Sequence, residues 1–357
     1  MRFIGSKAKL LSTIENAIRK YHGSEPTTFA DLFCGTAVVS RHFKRLGYEV
    51  TANDNLAFCS ELAKAVLLVN EEPQFPKLVD SGLITLGKEI EGLSPKPYDF
   101  VLDYLNRLPG IKGFIYEEYS PEGTLGKNYV RRYFTEFNAQ KIDAIRQKIA
   151  DWSSLGFLSE AEESLLIADL IKATNKVANI AGTYGYFLKD WDRRAYNSLT
   201  LTRSRIIKSE KQHKIYNTDA NELVSRVDCR ILYLDPPYTW RHYGAYYHIL
   251  ETIARWDRPK VTGLSGIRFW EDSKSRYCYR EDAADALAEL IEKAKTEHIF
   301  LSYNDEGLIA HEIILKILST RGKPSWQAIS YRRYRSHKEN NTRNKVMERI
   351  YYVRTEK

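Results

Sequence analysis

The chain has 357 residues, 43% of them hydrophobic, enough for a sizeable core and suggesting about two domains. Lys and Arg number 54 against 46 Asp and Glu, and this formal charge of +8 favours a polyanionic partner, because cationic side chains release counterions from phosphates. The start is no signal peptide, no apolar run approaches membrane-spanning length, and Cys34, Cys59, Cys229 and Cys278 form neither a C-x-x-C pair nor a ligand spacing with His, which excludes a disulfide framework and a zinc site and leaves a reduced, cytoplasmic protein without metal as the expectation.

Helical periodicity opens the chain over residues 7–20, carried by Leu10, Leu11, Ile14 and Ile18. A strand over 28–32 runs into a turn at Cys34-Gly35-Thr36, and a helix over 37–46 and a strand over 49–52 follow. Strand, glycine turn, helix and strand make the first half of a doubly wound sheet. A further helix covers 56–70. From 71 to 214 the sequence turns polar, largely helical and poor in strand signals, with helical periodicity over 140–152 and 158–177. A Gly/Tyr-rich turn region at 181–189 and a basic stretch over 193–205 complete what reads as an inserted domain. Sheet signals resume at 213–216 and 229–234, then at 298–303, 326–331 and 348–353, with helices over 246–255, 280–296 and 308–319 between them. The expected fold is α/β: a Rossmann-like doubly wound sheet from residues 1–70 and 215–357, with a mainly helical domain inserted at 71–214.

In Asp31-Leu32-Phe33-Cys34-Gly35-Thr36-Ala37, Gly35 tolerates positive φ and lets the backbone approach a ligand closely. Asp54 falls about 20 residues later, where an acid typically bonds a ribose hydroxyl. The pair suits a nucleoside-bearing cofactor. A dinucleotide oxidoreductase is disfavoured, since the G-x-G-x-x-G spacing is absent. The alternative is a plain strand–turn–helix with a capping Asp. Upstream, the backbone of Gly5 and Ser6 is placed to receive a carboxylate, with Lys7 adding charge, unless the segment only caps a helix. Asp219 suits either a bond to a cofactor's adenine amine or a helix cap.

Asp235-Pro236-Pro237-Tyr238 follows a buried strand, at the end where open α/β sheets bind ligands. An exocyclic amine of a nucleobase is a poor nucleophile, because its lone pair is delocalised into the ring. The Asp235 carboxylate and the Pro236 carbonyl are two acceptors that can draw that pair out, stabilising the positive charge that grows in the transition state. Tyr238 stacks on the base and orients it. A base in a duplex must first be flipped out, and Trp240, Arg241 and Tyr243 are suited to cover it or fill its vacancy. No Pro-Cys dipeptide occurs, which argues against cysteine attack on a cytosine ring carbon. Ser302-Tyr303-Asn304-Asp305 either lines the base pocket or forms a turn. Glu251 reads as structural, and His242 and His248 lack partners at metal-ligand spacing. Two basic segments are placed to track phosphates: Arg193, Arg194, Arg203 and Arg205, and a tyrosine-interleaved stretch containing Arg332, Arg333 and Lys338.

Together these residues resemble the adenine-N6-specific DNA methyltransferases of the Dam-like class. Gly5-Ser6-Lys7 is similar to the family's amino-terminal cofactor motif, Asp31 to Ala37 to its glycine-rich motif and Asp235 to Tyr238 to its catalytic motif. The order glycine motif, long insert, catalytic motif resembles the alpha group, whose target-recognition domain lies in the insert. The resemblance implies S-adenosylmethionine as methyl donor, double-stranded DNA as substrate and a role beside a restriction endonuclease. Ala37 stands where the family usually has a second glycine, and a slightly altered turn is expected. The other readings are methylation of cytosine's exocyclic amine, methylation of adenine in RNA, and a DNA-binding regulator without activity.

Overall fold

A computed structural model describes residues 3–86, 96–332 and 345–356. The chain divides into two compact units. One comprises Met1–Ile4, Lys64–Lys208 and Gly244–Trp270, the other Gly5–Ala63, Ser209–Tyr243 and Glu271–Lys357.

The second unit is built on seven strands: β1 (Thr28–Asp31), β2 (Glu49–Asn53), β3 (Lys214–Tyr216), β4 (Ile231–Leu234), β5 (His298–Asn304), β6 (Ser325–Arg332) and β7 (Lys345–Arg354). Their spatial order is β3-β2-β1-β4-β5-β7-β6. The first five are mutually parallel, and β7 runs antiparallel to both β5 and β6. Every residue of β4 and of β5 is buried, the mark of strands covered on both faces. Leu232, Leu234, Ile299 and Leu301 pack with Leu287, Leu290 and Ile314 of the helices Ala283–Lys293 and His311–Ser319. Because β1 pairs with β2 on one side and β4 on the other, the strand order reverses beside it. That reversal opens a crevice at the carboxyl ends of β1 and β4, where the loops part. The sheet is the Rossmann-like one expected. The helix expected over 246–255 is divided at Tyr247 into Tyr243–Tyr246 and His248–Arg255.

The first unit is mainly helical, with Pro97–Arg107, Phe114–Tyr119, Glu136–Ser154, Glu160–Val177 and His248–Arg255, plus a small antiparallel pair, Val261–Thr262 with Ile267–Arg268. The ends of its long helices are capped by their own side chains. Thr135 accepts from the Asn138 amide, and Ser159 and Glu162 form a reciprocal capping box. Residues 244–270, expected with the sheet, group here with the insert. Buried charges far away in sequence hold them. Arg146 donates to the Ile253 and Ala254 carbonyls at 2.7 and 3.2 Å, satisfying orphan groups at the end of His248–Arg255. Arg131 donates to the Gly263 and Leu264 carbonyls at 3.1 and 3.2 Å, and the Tyr119 hydroxyl to that of Gly266 at 2.9 Å. His248 lies 2.9 Å from the Tyr184 carbonyl, and burial pushes its pKa down to about 3, so it is a neutral ring in the interior.

Arg146→Ala removes two charge-assisted bonds from a dry site. It should lower stability by about 2–3 kcal/mol in chemical denaturation, with hydrogen exchange over 248–255 accelerating first.

Candidate active site

The glycine turn leaves β1 at the buried Asp31 and reaches the helix Val38–Arg45 through two left-handed residues, Gly35 at φ 51° and Ala37 at φ 55°. Ala37 takes the conformation that a second glycine would take without strain, at roughly 1–2 kcal/mol for an L residue. Asp54 staples this turn to the end of β2. Its Oδ2 accepts from the Gly35 amide at 2.9 Å and its Oδ1 from Leu56 at 3.1 Å. The Asn53 side chain donates to the carbonyls of Leu32 and Thr218, both at 3.1 Å, locking β1, β2 and the loop after β3 together. Phe33 meets Tyr277 edge to face at 5.2 Å, and Thr36 is half-buried beside it in sequence. Asp219 makes the cap that was one of its two expected roles, accepting from the Asn221 amide at 2.7 Å.

Asp31 has one oxygen on Ser40 Oγ at 2.7 Å, while Oδ1 is buried without a hydrogen-bond partner. Burial pushes its pKa up to about 7, with the charges of Asp235 and Asp54 adding and the Ser40 bond opposing. An orphaned acceptor beside Asp54 and an open glycine backbone fits a group rich in hydroxyls and positive charge. It does not fit a diphosphate, which the carboxylates would repel.

At the end of β4, Asp235 is 15% exposed, so one edge of its carboxylate is open. The other meets Lys7, a residue only 4% exposed, whose Nζ lies 2.9 Å from Asp235 Oδ1 and 2.9 Å from Glu348 Oε1. Glu348, on β7, is wholly buried and accepts from Ser302 Oγ at 2.6 Å and from the Asn304 amide at 3.5 Å. For Lys7, burial acts to lower the pKa, but Asp235 and Glu348 outweigh it and hold the ammonium well above its ordinary range. For Asp235, burial is the largest influence and Glu348 adds to it against Lys7, raising the carboxyl to about 7. The expected role of Lys7, a charge beside a cofactor carboxylate, is therefore not the one its geometry supports. A buried ammonium takes the nearest anions, and these are Asp235 and Glu348.

Tyr238 is half-buried, fixed by a bond from the Leu308 amide to its carbonyl at 3.0 Å and by edge-to-face contact with Tyr303 at 6.0 Å. The Lys7 ammonium sits 5.4 Å from its ring centre. Gly5, at φ 81°, allows this convergence: a Cβ there would lie 3.2 Å from the Tyr243 hydroxyl and 3.7 Å from that of Tyr238. Pro236 is buried behind the carboxylate. In the loop beyond, Trp240 is 67% exposed and Arg241 is exposed.

The basic segments separate on inspection. Arg193 and Arg205 are exposed. Arg194 is turned inward to the Ile180 carbonyl and to Asp192, 3.6 Å away, so its expected place on a phosphate gives way to fixing its own loop. Arg203 is likewise held by Glu72 and by Asp99 at 3.1 Å. Arg332 ends β6, whereas Arg333 and Lys338 lie outside the described residues. Glu251 pairs with Arg255 at 2.7 Å, as a structural residue would. A cleft of about 640 Å³ at the opposite ends of the strands is lined by Thr28, Arg230, Glu297 and Arg354. Its charges satisfy one another, Glu297 receiving Arg230 at 2.9 Å and Arg354 at 2.7 Å, and it is remote from Asp235 along the sheet. Glu348 had no assigned role in the sequence reading, where Ser302 stood as lining the base pocket or forming a turn. The one signal for Glu348 was an acid in alternate register with the apolar Val346, Ile350 and Tyr352.

A Rossmann-like sheet thus carries an acid–proline–proline–tyrosine turn after β4 and an acceptor-lined glycine turn after β1. Residues 3–317 match the D12 class of N6 adenine-specific DNA methyltransferases, and the chain belongs to that family. It is 38% identical to the Type II methyltransferase M.FokI of Planomicrobium okeanokoites over 356 residues, 99% of this chain and 52% of that protein. It is also 38% identical to the modification methylase StsI of Streptococcus sanguinis over 357 residues, again 99% and 52%. The Type II methyltransferase M.NlaIII of Neisseria lactamica is 34% identical over 355 residues, 99% of this chain and 98% of that one. The chain thus spans about half the length of the first two relatives. No described helix is long and apolar enough to cross a membrane.

A carboxyl with a pKa of 3.8 unfolded and about 7 folded holds its proton more tightly in the folded chain, so between those values stability falls as pH rises. Asp31→Asn removes that titration, while Asp235 titrates in both proteins. The variant's unfolding midpoint should exceed the wild type's at pH 8 and converge with it near pH 4, as read by thermal scans across that range.

Proposed function

We propose that this protein transfers a methyl group from S-adenosylmethionine to the exocyclic N6 amine of a flipped adenine in double-stranded DNA, protecting a recognition site from a cognate restriction endonuclease in the cytoplasm. Membership of the D12 class and likeness to proteins named as type II methyltransferases support the reaction. The observation that carries it is the open edge of Asp235 at the end of β4, beside the half-buried Tyr238 and above the Lys7 ammonium.

When bound, S-adenosylmethionine supplies an electrophilic methyl group on a sulfonium. Asp54, the Gly35 backbone and the free Oδ1 of Asp31 are the groups that would hold its hydroxyls and its amine. Asp235 and the Pro236 carbonyl accept the two hydrogens of the adenine amine. This localises the lone pair and stabilises the developing positive charge. Tyr238, braced by Tyr303, stacks on the purine and limits its tilt. Trp240 and Arg241 lie on the exposed loop that would cover the extruded base or the gap it leaves. The helical unit would read the target, with the exposed Arg193 and Arg205 on phosphates and the exposed Tyr186 and Phe269 as aromatic contacts.

Asp235→Ala should reduce labelled methyl transfer to DNA by about a thousandfold or more, with S-adenosylmethionine binding within a few-fold of wild type in equilibrium titration. Nucleoside mass spectrometry of wild-type product should show N6-methyladenine. A methylated cytosine, or an active Asp235→Ala variant, refutes the assignment.

A further inference from the structure

We propose that Glu348 is a positioning residue for methyl transfer, which shares the Lys7 ammonium with Asp235 and so keeps the Asp235 carboxylate available to the substrate amine. This rests on the function proposed above. Lys7 offers three N–H donors on one compact charge. With Asp235 as its only anion, in a site of low dielectric, it would close on that carboxylate as a full ion pair. The electron density that the substrate amine needs would be drawn toward the ammonium. Glu348 stands at the same 2.9 Å distance from the ammonium and shares that attraction.

Asp235 alone neutralises Lys7, and burying a further charge is expensive in a dry interior. Glu348 is wholly buried, and two of its partners, Ser302 and Asn304, come from β5, so the sheet helps to set its position. The groups that face Asp235 are Lys7 from the amino-terminal turn, Glu348 from β7, Tyr233 from β4, Asp31 from β1 and Tyr238 from its own loop. Lys7 is the one cation among these five.

The test is kcat/KM for DNA methylation against pH, from 5.5 to 9, for the wild type, Glu348→Gln and Lys7→Met. The acid limb reports protonation of Asp235 in the free enzyme. Glu348→Gln removes a negative neighbour, so the limb should move down by about one pH unit while the plateau falls about tenfold. Lys7→Met leaves two carboxylates facing each other, so the limb should move up by about one unit. Glu348→Asp keeps the charge and should keep the limb in place. Thermal midpoints and S-adenosylmethionine binding identify the variants that are folded, and each folded variant is a test by itself. A loss of activity at all pH values with the limb unmoved overturns the proposal. A wild type that does not methylate DNA removes the proposed function instead, and the two failures are thereby distinct.

Discussion

An ammonium that is almost fully removed from water must find anions, and Lys7 finds one at the end of β4 and another on β7. This requirement draws the segment before the helix Leu11–His22 across the carboxyl end of the sheet. Gly5 lies on the way, in a left-handed conformation and within reach of the Tyr238 and Tyr243 hydroxyls. The position of the Tyr238 ring, the open edge of Asp235 and the path of the amino-terminal segment all follow from one buried ion cluster. Such a cluster contributes little net stability, since desolvation offsets most of the attraction. Its value is geometric: three side chains from distant parts of the chain can adopt few other arrangements.

The charge distribution has two scales. The chain as a whole is basic, with exposed arginines such as Arg193 and Arg205 in the helical unit. The crevice at the sheet is the reverse, lined by Asp31, Asp54, Asp235 and Glu348 with Lys7 as the counterweight.

Much of this was legible in the sequence because it is local. Apolar runs mark β1, β4 and β5, the left-handed turn is signalled by Gly35, and Asp235 to Tyr238 are contiguous. What was not legible depends on distant pairing. Arg194 and Arg203 sit in a run that looks like a phosphate-binding patch. Whether a guanidinium points to solvent is decided by Ile180, Asp192, Glu72 and Asp99, which only the folded chain brings near. The grouping of residues 244–270 with the insert was hidden for the same reason. It rests on Arg131 and Arg146, which donate to carbonyl oxygens of 244–270, and any residue supplies those.

Glu348 shows why an antiparallel strand belongs in this sheet. A parallel strand begins at the end remote from the crevice, so its first residues cannot reach Asp235. β7 runs the other way, and its early residues lie beside the last residues of β5, with Glu348 opposite Asn304 and Ile350 opposite Ser302. Side chains alternate along a strand. Glu348 therefore shares its face with the buried Ile350 and Tyr352, whereas Met347 looks to solvent. A slip of one residue would turn Glu348 to the other face and carry Met347 or Arg349 to Lys7. The reversal of this one strand, and its register against β5, is what allows residues near the two ends of the sequence to meet at the turn that begins with Asp235.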